Sequence, residues 1–113
     1  MSDHLGEFEQ LILFALLQLE GEAYGVPIRH EIERRAKRDV SQGAVYTALG
    51  RLEERGFVSS RVAEKTPDRG GRRRKYYDLE PAGAKALHRV YSELKGMASG
   101  VVPRLAEMAE GAS

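Results

Sequence analysis

The sequence predicts a mainly α fold with one small β-hairpin, and three observations carry that prediction. Apolar residues recur at three- and four-residue steps in three early segments and one late one, the spacing of helices buried along one face. Two short runs, Phe57–Val62 and Arg74–Leu79, flank Thr66-Pro67-Asp68-Arg69-Gly70-Gly71, a stretch of strong turn formers. The length of 113 residues suits one domain with a core adequate for independent folding.

The first helix is carried by Leu5, Phe8, Leu11, Ile12, Ala15, Leu16 and Leu19, and Leu13, Phe14 and Leu17 widen the stripe past one face. A helix apolar nearly all round is buried on more than one side, so part of it is expected to meet another subunit. Gly21 ends it. A second helix is expected over Gly25–Ala36, with Pro27 in the first turn, where a missing N–H costs nothing. Val26, Ile28, Ile32 and Ala36 form its thin apolar face. After a short turn over Lys37–Val40, Ser41 caps a third helix whose inner face is Ala44, Val45, Leu49 and Leu52. Gly56 stands where a left-handed residue commonly closes a helix. The hairpin follows directly. Pro81 then opens a last helix, with Leu87, Val90, Leu94, Met97, Val101, Leu105 and Met108 spaced 3, 4, 3, 4, 4 and 3 residues apart. Nothing is left in the domain to cover that seam, so a second copy of the chain is the expected partner. Pro103 is expected to kink or end this helix near Val102. Two short helices joined by a tight turn and followed by a hairpin form a winged helix-turn-helix. The expected division is a winged helix-turn-helix DNA-binding domain over residues 1–80 and a long C-terminal dimerisation helix over 81–113, in one compact unit.

Composition bounds the chemistry. Apolar residues make up 42% and charged residues 31%, as in globular proteins. There is no cysteine, which removes disulfides, thiol catalysis and thiolate metal sites and fits a reducing cytoplasmic location. The apolar run Leu11–Leu17 is seven residues long, against the roughly 20 that a membrane span needs. His4, His30 and His88 lie far apart without ligand spacing, so no metal is expected, and no cofactor. No Ser/His/Asp set, phosphate loop or carboxylate pair has a supporting context, which argues against an enzyme. Net charge is only +1, but its distribution is uneven. Residues 1–22 carry five acidic residues and no Lys or Arg, whereas residues 61–75 carry seven cations against Glu64 and Asp68. A local polyanion-binding surface is implied.

The chain resembles the PadR family of bacterial transcriptional regulators, in its short subgroup with a single C-terminal helix. The resemblance runs from about Leu5 to Leu87. It rests on Leu11-Ile12-Leu13, on Tyr24-Gly25 with Ile28, and on Ser41-x-Gly43-x-x-Tyr46-x-x-Leu49-x-x-Leu52-Glu53-x-x-Gly56. Gly71-Arg72-x-x-Lys75-Tyr76-Tyr77-x-Leu79 and Gly83 complete it. The chain departs from the family pattern at Glu80, often a capping Thr; at Thr47, often Pro; and at Pro27. The resemblance implies a homodimer that represses a promoter, with a near-palindromic duplex DNA operator as partner and, in some members, a small-molecule inducer, here unknown.

Duplex DNA asks for cations to neutralise phosphates and for polar side chains at a helix start to reach base edges. On the third helix Ser41, Gln42, Gly43, Tyr46 and Thr47 are the candidates. Gln42 suits an adenine edge or is an ordinary exposed first-turn residue. Gly43 permits close backbone approach to a phosphate. Tyr46 offers a phenol to a phosphate or packs under the wing. Tyr24 is a backbone contact or a core residue. In the hairpin Arg72, Arg73, Arg74 and Lys75 are phosphate candidates, although alternate strand residues point opposite ways, and Arg69 near the tip suits the minor groove. Arg51 and Arg55 are expected to pair with Glu53, Glu54 or solvent. The dimer candidates are Leu5, Phe8, Leu11, Ile12, Leu87, Tyr91, Leu94, Met97, Val101, Leu105 and Met108. Phe8, Phe14 and Tyr91 are candidates to line a small inducer pocket between the last helix and the core. A winged-helix protein–protein adaptor is the main alternative function. Single-stranded RNA binding is a third option, but Tyr76 and Tyr77 lie on opposite strand faces and offer at most one ring for stacking.

Overall fold

The chain is organised around a third helix whose inner side is sealed into the core. The computed structural model describes residues 4–63 and 74–112, with elements α1 (Glu7–Leu19), α2 (Gly25–Ala36), α3 (Gln42–Glu54), β1 (Val58–Ala63), β2 (Arg74–Leu79), α4 (Pro81–Ala98) and α5 (Val102–Gly111). Val45, Leu49 and Leu52 of α3 meet Ile12 and Leu13 of α1 and Ile28 and Ile32 of α2 in one apolar cluster, closed from the hairpin side by Phe57, Val58 and Tyr77. No polar or charged residue is buried among those described.

Each end of α3 has a local cause. The Ser41 hydroxyl accepts the Ala44 N–H at 3.0 Å. At the other end Gly56 takes φ +78°, its N–H donates to the Glu53 carbonyl, and the Phe57 N–H donates to the Leu52 carbonyl, both at 3.0 Å. This paired closure is the Schellman motif, and it swings Phe57 into the core and the chain into β1. Gly6 extends the start of α1, where its N–H donates to Glu9 at 2.8 Å. Glu20 and Gly21 close that helix with φ of 44° and 90°, and Lys37 closes α2 with φ 56°. Pro27 lies in the first turn of α2, where its missing N–H is tolerated.

The hairpin is antiparallel, pairing Val58 with Leu79 and Ser60 with Tyr77 through to Ala63 with Arg74. The Tyr77 N–H also donates to the Ala23 carbonyl at 2.8 Å, which ties the wing to the α1–α2 loop. Glu80 precedes α4 without capping it, and its carboxylate accepts instead from Ser59 Oγ at 2.6 Å. Gly83 packs on the Phe57 carbonyl and Leu79, where a Cβ would collide. Surface ion pairs line α2. Arg35 and Arg34 hold the Glu31 carboxyl below its ordinary range by hydrogen bonding.

Several expectations are corrected. Leu5, Ile12 and Leu87, assigned to the dimer interface, are 2%, 0% and 4% exposed and belong to the chain's own core. Val26 is exposed, so α2 faces inward through Ile28 and Ile32. Leu13 turns the width of the α1 stripe into intramolecular burial, whereas Phe14 and Leu17 stay exposed. The last helix breaks earlier than expected: α4 ends at Ala98, Gly100 takes φ +82°, and Pro103 falls in the first turn of α5. Continued helix would press the Pro103 ring on the Ser99 carbonyl four residues back, and the bend relieves it.

Beyond Val90 every apolar position of the α4–α5 seam is exposed, from 48% at Tyr91 to 82% at Met97. The arm stretches the molecule to 54 Å and its radius of gyration to 16.6 Å, against about 13 Å for a compact chain of this length. Phe14, Leu17, Leu79, Leu87 and Tyr91 line an apolar hollow of about 290 Å³ between α1 and α4, with Phe14 and Tyr91 edge to face at 6.1 Å. Phe8, the third ring expected there, lies instead beneath the Arg38 guanidinium. Among the described residues no helix is long and apolar enough to cross a membrane, and no cluster of His, Asp or Glu has metal-site geometry.

Gly50 and Gly56 both have open space around a hypothetical Cβ, but only Gly56 has a positive φ. Gly56→Ala is therefore expected to destabilise by about 1–2 kcal/mol, and Gly50→Ala to stabilise by up to about 1 kcal/mol. Urea unfolding of the two variants checks the opposite signs.

Candidate nucleic-acid interface

At 100° per residue, α3 divides cleanly into two sides. Val45, Ala48, Leu49 and Leu52 face inward and are buried. Gly43, Ala44, Thr47, Gly50, Arg51 and Glu54 face outward and are all exposed. Among the described residues no atom outside the helix backbone lies within 4 Å of a hypothetical Cβ on Gly43 or Gly50, so one edge of this face is bare backbone. A helix of this profile can lie deep in a groove.

The expected contact residues distribute unevenly over this frame. Ser41, Gly43 and Thr47 are exposed at or near the α3 start. The Ser41 oxygen is occupied by the cap, but its O–H remains able to donate. Gln42 departs from expectation: its helical phase sets it on the side of Val45 and Leu49, and its Nε2 is buried without a hydrogen-bond partner in the described structure. An amide turned inward is not poised over a base edge. Tyr46 is 47% exposed on the flank of α3, and its phenol rests against Gly25 at the start of α2.

In the wing, Arg74 and Tyr76 lie on one strand face and Lys75 and Tyr77 on the other. The Arg74 guanidinium stacks over the Tyr24 ring at 4.5 Å, and Tyr24 meets Tyr76 edge to face at 5.4 Å. Arg74 as a whole is half-buried, and its Nη1 is buried without a hydrogen-bond partner among the described residues. Tyr24 is thus placed as the platform for Arg74 at the α2 start. Lys75 approaches Glu53 at 3.8 Å and Tyr77 at 5.6 Å, which partly neutralises it. Burial pushes the Tyr77 phenol above its ordinary pKa, in keeping with a core role for that ring. Arg69, Arg72 and Arg73 lie outside the described residues.

Two further arginines serve the fold, and a third faces solvent. Arg55 reaches back to α1, pairing with Glu9 at 3.5 Å and covering the Phe57 ring at 4.5 Å. Arg61 pairs with Asp78 at 3.2 Å, donates to the Gly21 carbonyl at 2.9 Å and stacks on Tyr76. Arg51 makes no hydrogen bond or ion pair among the described residues. Helical phase relative to Thr47 was the signal that could have marked it.

Comparison with known proteins adds to this geometry. The sequence model of the transcriptional regulator PadR-like family matches residues 12–89. A PadR family transcription regulator from hypervirulent Clostridium difficile R20291 is similar at 27% identity and TM-score 0.74, over 88% of this chain and 99% of that one. A PadR-like transcription factor from Bacteroides fragilis is similar at 26% identity and TM-score 0.67, over 94% and 89%. A PadR-like transcriptional regulator from Bacillus cereus strain ATCC 14579 is similar at 25% identity and TM-score 0.68, over 88% and 90%. No curated protein matches.

The seating of Tyr46 on Gly25 is testable by a double-mutant cycle. A Cβ on Gly25 would collide with the phenol, so Gly25→Ala is expected to cost about 1–3 kcal/mol. The same change in a Tyr46→Ala background is expected to cost much less. Equal costs in both backgrounds, measured by thermal or urea unfolding, would exclude the contact.

Proposed function

This chain belongs to the PadR-like family of transcriptional regulators, and from that premise we propose that it binds duplex DNA as a homodimer and acts as a repressor in the cytoplasm. The single observation that carries the proposal is the exposed outward face of α3, bordered by Gly43 and Gly50, in a domain whose wing carries the Arg74–Tyr24 stack. In this reading residues 1–80 engage DNA and residues 81–113 pair the subunits. The start of α3 enters a major groove, with Ser41, Thr47 and the Gly43 backbone near the duplex and Tyr46 on the flanking phosphates. The wing cations Arg72, Arg73, Arg74 and Lys75 track the backbone, and Arg69 reaches the minor groove. Gln42 keeps its place on the helix start but is not the reader.

The homodimer reading draws on the α4–α5 seam. Tyr91, Leu94, Met97, Val101, Leu105 and Met108 repeat at helical spacing and are exposed, and Tyr91 joins them to exposed Phe14 and Leu17 of α1. Pairing two arms sets two α3 helices in successive major grooves of a near-palindromic operator, about 34 Å apart. An inducer of unknown chemistry would have the hollow beside Phe14 and Tyr91 available.

Two measurements test the proposal. Fluorescence anisotropy on duplex DNA across salt concentrations is expected to give a steep negative slope of log affinity against log salt, with Arg72→Ala plus Arg74→Ala flattening it by about 0.9 per lost phosphate contact. An unchanged slope would remove the wing from the interface. In sedimentation, the wild type is expected at twice the 12.6 kDa chain mass. Leu94→Asp with Leu105→Asp is expected to give a folded monomer, and a persistent dimer would place the pairing surface elsewhere.

A further inference from the structure

The outward face of α3 carries one cation. Arg51 is exposed one helical turn beyond Thr47 and beside Gly50. The neighbouring cations are committed: Arg55 to Glu9, Arg61 to Asp78, and Lys75 toward Glu53. Arg51 is not so committed among the described residues. Gly43 and Gly50 leave the backbone beside Arg51 uncovered among the described residues.

We infer that Arg51 reads a guanine edge in the major groove and sets the sequence preference that Gln42, turned inward, does not supply. The inference rests on the proposed entry of α3 into duplex DNA. Two kinds of DNA contact are open to an exposed arginine, and the companion on this face decides between them. Glu54 is exposed within one turn of Arg51 on the same side. A carboxylate there opposes close approach of phosphates. It is compatible with base edges, where guanine O6 and N7 accept from a guanidinium and cytosine N4 can donate to a carboxylate. The near-neutral outward face therefore suits the groove floor, and the cations of β2 suit the backbone beside it. Arginine meets guanine through a planar two-pronged fork that lysine lacks.

The test uses full-length protein and duplexes selected from a random library, comparing wild type with Arg51→Gln and Arg51→Lys. Wild type is expected to fix a guanine at one position of the site. Replacing that base is expected to weaken wild-type binding by about 5- to 150-fold, the range for one bidentate base contact. Both variants are expected to lose that preference while melting like the wild type, and Arg51→Lys is expected to keep the wild-type salt slope. A uniform loss on all sequences with a slope reduced by about 0.9 in Arg51→Gln would make Arg51 a phosphate contact and overturn the inference. Unchanged preference in both variants would overturn it too, leaving Arg51 a solvated side chain. Wild-type protein with no affinity for any duplex would instead overturn the DNA-binding reading on which this one stands.

Discussion

The division of α3 into a sealed side and an open side is the constraint on which the rest of the molecule depends. Val45, Leu49 and Leu52 are fully buried, and they fix the rotation of the helix about its axis. A rotation of one residue would bring Tyr46 inward and expose Val45. Burial therefore decides, without any ligand, that the glycine-bordered arc points outward. The Ser41 cap sets where the helix starts and the Gly56 closure sets where the chain leaves. The wing inherits its position from that exit, since Phe57 and Val58 carry the core directly into β1 and the Tyr77–Ala23 hydrogen bond ties β2 down on the far side.

Within the wing, the partner chosen for each cation determines what charge remains for a polyanion. Arg61 meets a carboxylate at 3.2 Å and also satisfies a backbone carbonyl, so it serves the fold. Arg74 meets the face of an aromatic ring. A ring positions a guanidinium through its quadrupole, by about 0.5–1 kcal/mol at exposed sites, without cancelling its charge. The Tyr24–Tyr76 contact stiffens that platform and joins the α2 start to the hairpin. A cation ordered in this way reaches a phosphate at lower entropic cost than one on a free strand.

Local chemistry made much of this fold legible in the sequence. Periodicity located α1, α2 and α3; Ser41 and Gly56 bounded α3; β-branched and aromatic residues around a turn-rich stretch marked the hairpin. What stayed illegible has a common physical cause. Periodicity identifies an apolar face but not the body that covers it, so Leu5, Ile12 and Leu87 read as interface although the chain buries them itself. Arg55 finds its partner 46 residues away on α1, beyond any local rule. At the candidate site, exposure and strand phase were legible: Ser41, Gly43 and Thr47 are exposed on α3, and Arg74 shares a strand face with Tyr76. Gln42 turns its amide inward, as its helical phase with Val45 and Leu49 implies and its residue type does not, and Arg51 faces solvent, one of the outcomes its sequence neighbours left open.

The C-terminal arm shows why a seam of correct spacing is a weaker statement than a helix of correct length. The apolar repeat passes through Val101 without a fault, yet the backbone turns there because Pro103 has no N–H to donate to the carbonyl four residues before it and its ring would clash with that carbonyl. The apolar side chains survive the bend, and those of α5 remain exposed. A helix of 10 residues has little stability of its own in water. Its apolar face is therefore the part of this chain least explained by the chain itself. In the proposed dimer this surface would hold two winged domains at a set separation. The spacing between the two α3 faces would then depend on the geometry of a bent arm as much as on the contacts along it.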